Sequence, residues 1–254
     1  MLKKIFIPLA AVLIFLILYP LINMLFGVSL SEIFRTLADK EVIGSIVLTL
    51  RSSLWATLFA LIVGIPAGYL LARNDFTGKK LIEGIIDLPV IIPHTAAGIA
   101  LLSVWGRKSL FGQMTGMSIM GTEVAISVAM FFVSVPFLIN AVKSGFKLID
   151  PRYEKVAVTL GATPLKAFFT VSLPMVKKAV ISGAIMMWAR GISEFGAVII
   201  LAYHPMITPI LIYDRYEAFG LKYARPVAVV LILICLLVFI SLRLLEDKGR
   251  KKFD

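Results

Sequence analysis

Cysteine is almost missing from this chain: Cys235 stands alone among 254 residues, in the middle of an apolar run. No intrachain disulfide can form, and no zinc, haem or iron–sulfur ligand set can be assembled around it. Histidine is nearly as scarce. His94 and His204 lie in different segments with no carboxylate at ligand spacing, no H-E-x-x-H occurs, and His94 has no companions with which to hold a metal. The phosphate-binding pattern G-x-x-x-x-G-K-[ST] is absent too, because Gly78-Lys79-Lys80 has neither the upstream glycine nor the following hydroxyl residue. ATP is therefore not expected on this chain by that route, and no catalytic residue, metal site or cofactor site is predicted. Carboxylates inside the long apolar windows reduce to Glu194, which argues against a proton-coupled carrier built on a relay of acidic groups.

What the chain has in abundance is apolar sequence. Hydrophobic residues make up 59% and charged residues only 16%, far from the balance of a soluble domain. Crossing about 30 Å of hydrocarbon takes roughly 20 apolar residues. Six windows meet that length: Ile5 to Phe26, Ser52 to Ala72, Leu88 to Gly106, Val124 to Val142, Ala179 to Tyr203 and Pro226 to Leu242. With their flanks they predict spans at about 5–26, 46–72, 85–106, 122–143, 177–203 and 226–245, within a single transmembrane domain over 1–254. The first window is too long for a signal-peptide core and is expected to persist as an anchor.

The net charge of +11 points to the lipid surface rather than to nucleic acid, for which there is no folded domain. If Lys3 and Lys4 are cytoplasmic, six spans put seventeen basic residues inside and eight outside, with Arg190 left in a span. Lysine and arginine mark the cytoplasmic side, so both termini are predicted there.

The segment Asp150 to Pro174, DPRYEKVAVTLGATPLKAFFTVSLP, interrupts this apolar chain with polar sequence. Asp150 followed by Pro151 reads as a cap with proline at the first helical position. Gly161 suits the left-handed residue that ends such a helix, Thr163-Pro164 repeats the start pattern, and Pro174 is expected to stop the second helix. Two short helices at a membrane surface fit a docking site for a soluble partner. The first is expected to run about three turns, with Val156 and Leu160 on an apolar face and Arg152, Glu154 and Lys155 as a polar rim. A lipid-surface amphipathic helix is the alternative reading.

Several spans carry more than an anchor needs. Gly64-Ile65-Pro66-Ala67-Gly68 permits close backbone approach and suits either helix packing or a hinge. In Asp87-Leu88-Pro89-Val90-Ile91-Ile92-Pro93-His94-Thr95, Pro89 and Pro93 remove two backbone donors. Such a broken helix is tolerated at membrane depth only where protein or water covers the freed groups. It either lines a pathway or is a kink repaired by its neighbours. Arg190 and Glu194, four apart, share one helical face in the fifth span. They form either an ion pair that fixes register or a functional pair at the pathway. The hydroxyls of Thr95, Ser103, Ser134 and Ser193 complete the candidate lining.

The polar segment resembles the conserved cytoplasmic loop of binding-protein-dependent ABC importer permeases, whose pattern is E-A-A, three residues, glycine, nine residues, then I-x-L-P. Here Lys155-Val156-Ala157, Gly161 and Val171-Ser172-Leu173-Pro174 occupy the corresponding places, with Glu154 one position upstream of the family glutamate. Asp87 to Ala100, Ala189 to Tyr203 and the loop carrying Pro205 and Pro209 are similar to the molybdate/tungstate permeases and the related sulfate permeases. The resemblance implies an all-α, type I importer architecture of six transmembrane helices with a coupling helix between spans four and five. It also implies a homodimer in the cell membrane, two ATP-binding subunits that hold ATP and Mg, and an extracytoplasmic oxyanion-binding protein. Arg152, Glu154, Lys155, Val156, Ala157, Leu160, Gly161, Ala162 and Pro164 are then the coupling residues; Pro89, Pro93, His94, Thr95, Ser134, Arg190, Ser193 and Glu194 are the pathway or gate candidates. An ATP-independent secondary transporter and a membrane scaffold are the alternatives from other classes.

Overall fold

The computed structural model describes residues 2–116 and 118–250, which are helical with no strand among them. In chain order the elements are α1 (Leu2–Phe26), α2 (Leu30–Ala38), α3 (Lys40–Arg73), α4 (Lys79–Ile91), α5 (His94–Trp105), α6 (Leu110–Thr115) and α7 (Glu123–Lys147). There follow α8 (Arg152–Thr159), α9 (Pro164–Ala167), a π-turn (Phe168–Ser172), α10 (Leu173–Met175), α11 (Lys177–Ile192), α12 (Gly196–Leu201), α13 (Thr208–Phe219) and α14 (Leu221–Arg250).

Four stretches are single helices long and apolar enough to cross a membrane: Phe6–Phe26, Lys40–Arg73, Glu123–Lys147 and Leu221–Ser241. Two more arise if each bent pair counts as one span. The pair α4 and α5 bends by 111°. Pro93 lies at that bend, in the extended conformation that a proline after a helix end favours. The second bent pair joins Pro164–Met175 to Lys177–Ile192 at 71°. Pro174 therefore does not stop its helix; the backbone runs on to Met175 and turns at Val176. The fifth window is also not one continuous helix. It breaks at 193–195 and resumes as the short α12.

The chain forms two compact units. One comprises the residues up to Ile46 together with Ile207–Val238. In it Ser29 and Glu32 form a capping box at the start of α2, and Arg215 joins Asp39 at 2.7 Å and Glu41 at 2.8 Å. The other comprises, among the described residues, Val47–Met206 and 239–250. Its centre is the packing of α7 on α11 and of α5 and α7 on α12. Ala125, Ile126, Ala129, Met130, Val133, Leu138 and Val142 of α7 are buried there.

Glycines set the close contacts. A Cβ on Gly98 would lie 2.9 Å from the Ala197 carbonyl oxygen and 3.0 Å from its Cα. Backbone is in the way, and it cannot step aside as a side chain can. Gly98→Ala is expected to destabilise the chain by about 1–3 kcal/mol through overpacking, read as a lower unfolding midpoint in detergent.

Candidate coupling segment and pathway cluster

The interruption from Asp150 follows its cap residues, except that the first helix starts at Arg152 with Pro151 as its N-cap, one residue later than predicted. Asp150 Oδ1 accepts from the Arg152 N–H at 2.9 Å. At the far end Gly161 adopts φ +95°, the Ala162 N–H reaches the Ala157 carbonyl at 3.0 Å, and the Gly161 N–H reaches Val158 at 2.9 Å. This pair of bonds is a Schellman closure. Thr163 Oγ1 then accepts from the Lys166 N–H at 3.2 Å, with Pro164 opening α9. The first helix is shorter than the expected three turns, because the Schellman turn ends it at Thr159.

Glu154 departs from the polar rim and turns inward. Its carboxylate accepts from Tyr69 Oη at 2.7 Å and from Arg73 Nε and Nη2 at 2.9 and 2.7 Å. Arg73 also donates through Nη1 to the carbonyls of Phe146 and Ile149, at 2.9 and 2.8 Å. Its guanidinium lies over the Phe146 ring, and the Tyr69 ring meets Phe146 and Phe168 edge-on at 5.1 Å. Burial alone opposes the charged form of Glu154, but the hydrogen bonds from Tyr69 and Arg73 together with the nearby cation outweigh it. The carboxyl is held below the usual range. The outer face of the segment is left to Arg152, Tyr153, Lys155, Val156, Val158 and Leu160, all exposed, with Leu160 at 82%. Ala157 and Ala162 are half-buried, while Gly161 and Pro164 are exposed. Tyr69 and Arg73 were not identifiable from the sequence. Nothing local at the end of the second window ties them to a helix so far along the chain.

The second cluster forms where two helix breaks meet. His94 begins α5, and Arg190 lies in the last turn of α11. Glu194 sits in the break before α12 and is fully buried. Glu194 Oε2 is 3.0 Å from Arg190 Nη2 and 2.9 Å from His94 Nδ1, while Oε1 accepts from the Ala197 N–H at 2.9 Å. Arg190 Nη2 is 2.8 Å from the ring nitrogens of His94, and Nη1 donates to Ser193 Oγ at 3.2 Å. One carboxylate thus does three jobs. It balances the guanidinium, orients the imidazole, and accepts a free amide at the start of α12, which has no side-chain cap of its own at Phe195. His94, Arg190, Ser193 and Glu194 are brought together. Thr95 is exposed one residue beyond the cluster, Pro93 is exposed at the bend, and Pro89 is buried within α4.

Ser134 is placed differently from the other hydroxyls. It is buried, and its Oγ donates to the Met130 carbonyl of its own helix. Such back-bonding uses the hydroxyl locally and leaves it no donor for a ligand. Ser103, by contrast, is exposed, although it too donates to its own helix, at the Ala100 carbonyl. Sequence reasoning missed the polar ties between spans: Asn140 Nδ2 donates to Asp87 at 2.6 Å, Ser53 Oγ donates to the Trp188 carbonyl at 2.8 Å, and Trp188 Nε1 donates to the Leu50 carbonyl at 3.3 Å. Among the described residues no three His, Cys, Asp or Glu side chains gather as a metal set.

Known proteins are similar to this chain in sequence or in fold. The Molybdate/tungstate transport system permease protein WtpB of Methanocaldococcus jannaschii is 43% identical over 235 residues, 92% of each chain. Its namesake in Pyrococcus furiosus is 43% identical over 216 residues, 85% of this chain and 83% of that one. The Sulfate transport system permease protein CysT of Salmonella typhimurium is 30% identical over 239 residues, 91% of this chain and 86% of that one. Among solved structures, a bacterial ABC transporter involved in alginate import has a TM-score of 0.73 at 14% identity, covering 95% of this chain and 94% of that one. The MetNI methionine ABC transporter has a TM-score of 0.65 at 15% identity, covering 84% and 96%. At such identities the likeness is one of fold. The family described as binding-protein-dependent transport system inner membrane component matches residues 64–251, and the chain belongs to that family as a multi-pass membrane permease.

Proposed function

We propose that this permease carries a tetrahedral oxyanion, molybdate or tungstate first and sulfate second, into the cell at the expense of ATP hydrolysed by partner subunits. The observation that carries the reading is the 43% identity to the molybdate/tungstate permease of M. jannaschii over 92% of both chains, against 30% to the sulfate permease. In this reading the chain pairs with a second copy of itself around one pathway, within six spans and with both termini cytoplasmic. Two ATP-binding subunits, which hold ATP and Mg, dock on the cytoplasmic side, and an extracytoplasmic protein delivers the anion.

The exposed face of α8 and α9, with Val156, Leu160 and Leu165, supplies the apolar contact for the ATP-binding subunit, and Arg152 and Lys155 supply its rim. Glu154 works from behind: it ties the docking helix to α3, so that a displacement of α8 is passed into the spans. ATP-driven closure of the partner dimer then moves the docking helices and alternates access to the pathway. The breaks around Pro93 and Glu194 are its flexible points.

The test is uptake of tungstate by proteoliposomes that hold this chain with its ATP-binding subunit, with the binding protein added outside. Uptake that requires ATP supports the reading. Uptake without ATP, or transport confined to another class of solute, would overturn it. Gly161→Pro probes the coupling segment in the same vesicles. Proline is fixed near φ −65° and cannot take up +95°. Binding of the ATP-binding subunit is expected to fall at least tenfold, measured by co-purification at graded concentrations.

A further inference from the structure

A groove opens sideways between α3 and α7, two helices that are each long and apolar enough to cross a membrane. They are joined at both ends of it. Arg51 Nε donates to the Glu123 carboxylate at 2.7 Å, and Nη2 donates to its other oxygen. Eight residues further along both helices, the rings of Phe59 and Phe131 meet with centroids 5.2 Å apart. The two helices therefore run in the same direction here, tied by two rungs. Between the rungs lies a volume of about 600 Å³. Its floor is the buried Ala56, and its walls are Trp55 and Phe59 of α3 and Val124, Val128 and Phe131 of α7, with one hydroxyl from Ser127.

Helix geometry sets the length of this groove. Eight residues at about 1.5 Å each put roughly 12 Å between the rungs. The hydrocarbon of one leaflet is about 15 Å deep, half of roughly 30 Å. Glu123 opens α7 directly after the Thr122 cap, so the ion pair marks the end of a span and the ring contact lies near the bilayer middle. Such bounds suit one extended hydrocarbon chain from a single leaflet. They do not suit a transmembrane helix, which is about 10–12 Å across with its side chains and would be blocked by the ring contact after about two turns.

The mouth of the groove fits a lipid head group. Arg51, Trp55 and Phe59 follow one another at four-residue spacing on one face of α3, and all three are exposed. From the span end inward they present a cation, an indole and a phenyl ring. That order matches the layers of a leaflet: an arginine stem lies along apolar surface with its charge in the polar layer, and tryptophan is favoured at head-group level. With Nε and Nη2 committed to Glu123, Arg51 keeps Nη1 for a phosphate oxygen. What sets this cation apart is the apolar groove directly beneath it, of a length that a lipid chain fills.

We infer that the groove between α3 and α7 is a phospholipid site, in which one hydrocarbon chain lies between the two rungs and the phosphate rests on Arg51. The bound chain braces the two helices where they do not touch, whichever solute the permease carries. The experiment uses the complete transporter, reconstituted in vesicles of phosphatidylethanolamine and phosphatidylglycerol, released in mild detergent and weighed by native mass spectrometry. One phospholipid is expected to stay on each permease chain. Val124→Trp fills the groove from an exposed position and is expected to lower retention about tenfold, as the loss of about two buried methylenes would. Arg51→Gln removes the phosphate contact and is expected to lower it about fivefold, the share of one basic residue at a charged head group. A wild-type chain that retains no lipid, or retention unchanged in either variant, overturns the site. Unchanged retention together with loss of a second permease copy in Val124→Trp would assign the groove to a helix of that copy instead. Co-purification of the ATP-binding subunit shows that each variant has folded; should Val124→Trp fail there, the Arg51→Gln result decides alone.

Discussion

Replacing Glu194 by alanine is expected to abolish ATP-dependent uptake and to lower the unfolding midpoint of the detergent-solubilised chain by on the order of 10 °C. The size follows from what the carboxylate holds. Its removal leaves the Arg190 guanidinium, which is 23% exposed, without a counter-charge. Breaking a buried ion pair from one side typically costs about 3–5 kcal/mol. The Ala197 amide loses its acceptor as well, a loss of about 1 kcal/mol at a helix start. Two further variants separate these contributions. Glu194→Gln keeps an oxygen for Ala197 and is expected to lose less stability than alanine. The double change Arg190→Leu with Glu194→Leu removes the unbalanced charge and is expected to recover much of the midpoint without recovering transport. Recovery of transport by that double variant would reduce the cluster to a packing device.

The second large effect is expected at the other end of the same compact unit. Arg73→Ala removes two bonds to Glu154 and one each to the Phe146 and Ile149 carbonyls. We predict that the ATP-binding subunit still hydrolyses ATP in the complex while uptake per ATP falls at least tenfold, because α8 then moves without pulling on α3. Measuring phosphate release and tungstate uptake in the same vesicles gives the ratio directly. An unchanged ratio would remove Arg73 from the coupling path.

The clamp also has a defined pH response. Glu154 titrates below its usual value when folded, so its ionic bond is complete above the ordinary carboxylate range and is lost as pH falls through the depressed folded value. No loosening of α8 is expected between pH 8 and about pH 5, where an unperturbed Glu near 4.3 is already mostly charged. Protease sensitivity of the Arg152–Thr159 helix, followed down the pH scale, should therefore stay flat and rise only in stronger acid.

Much of this was legible in the sequence where the cause was local. The turn at Gly161, the cap at Thr163 and the bend at Pro93 depend on backbone chemistry within a few residues, and each stands where its residue type predicts. Partnerships across the chain were not legible. Periodicity assigns a charged residue on a short polar helix to solvent, yet Glu154 points at Tyr69 and Arg73, which belong to another span. Arg190 and Glu194 were readable as a pair from their spacing, whereas His94 joins them only because the bend at Pro93 delivers it there. The break at 193–195 has no proline to mark it; a buried carboxylate stabilises it by accepting an amide, and that role has no compositional trace.

The long helix α3 links the two expected losses. Near one end Tyr69 and Arg73 grip Glu154 of α8; further back Ser53 and the Leu50 carbonyl hold Trp188, two residues from Arg190. In the coupling proposed above, the stretch from Leu50 to Arg73 would act as a connecting rod, with its big end at the ATP-binding subunit and its small end beside the Arg190–Glu194 cluster. Pro66 lies between them, and its missing N–H leaves the Ile62 carbonyl without its usual intrahelical partner. Under that proposal a joint at Pro66 would deliver the stroke with a lag, holding the pathway shut until the movement of the ATP-binding subunit is nearly complete.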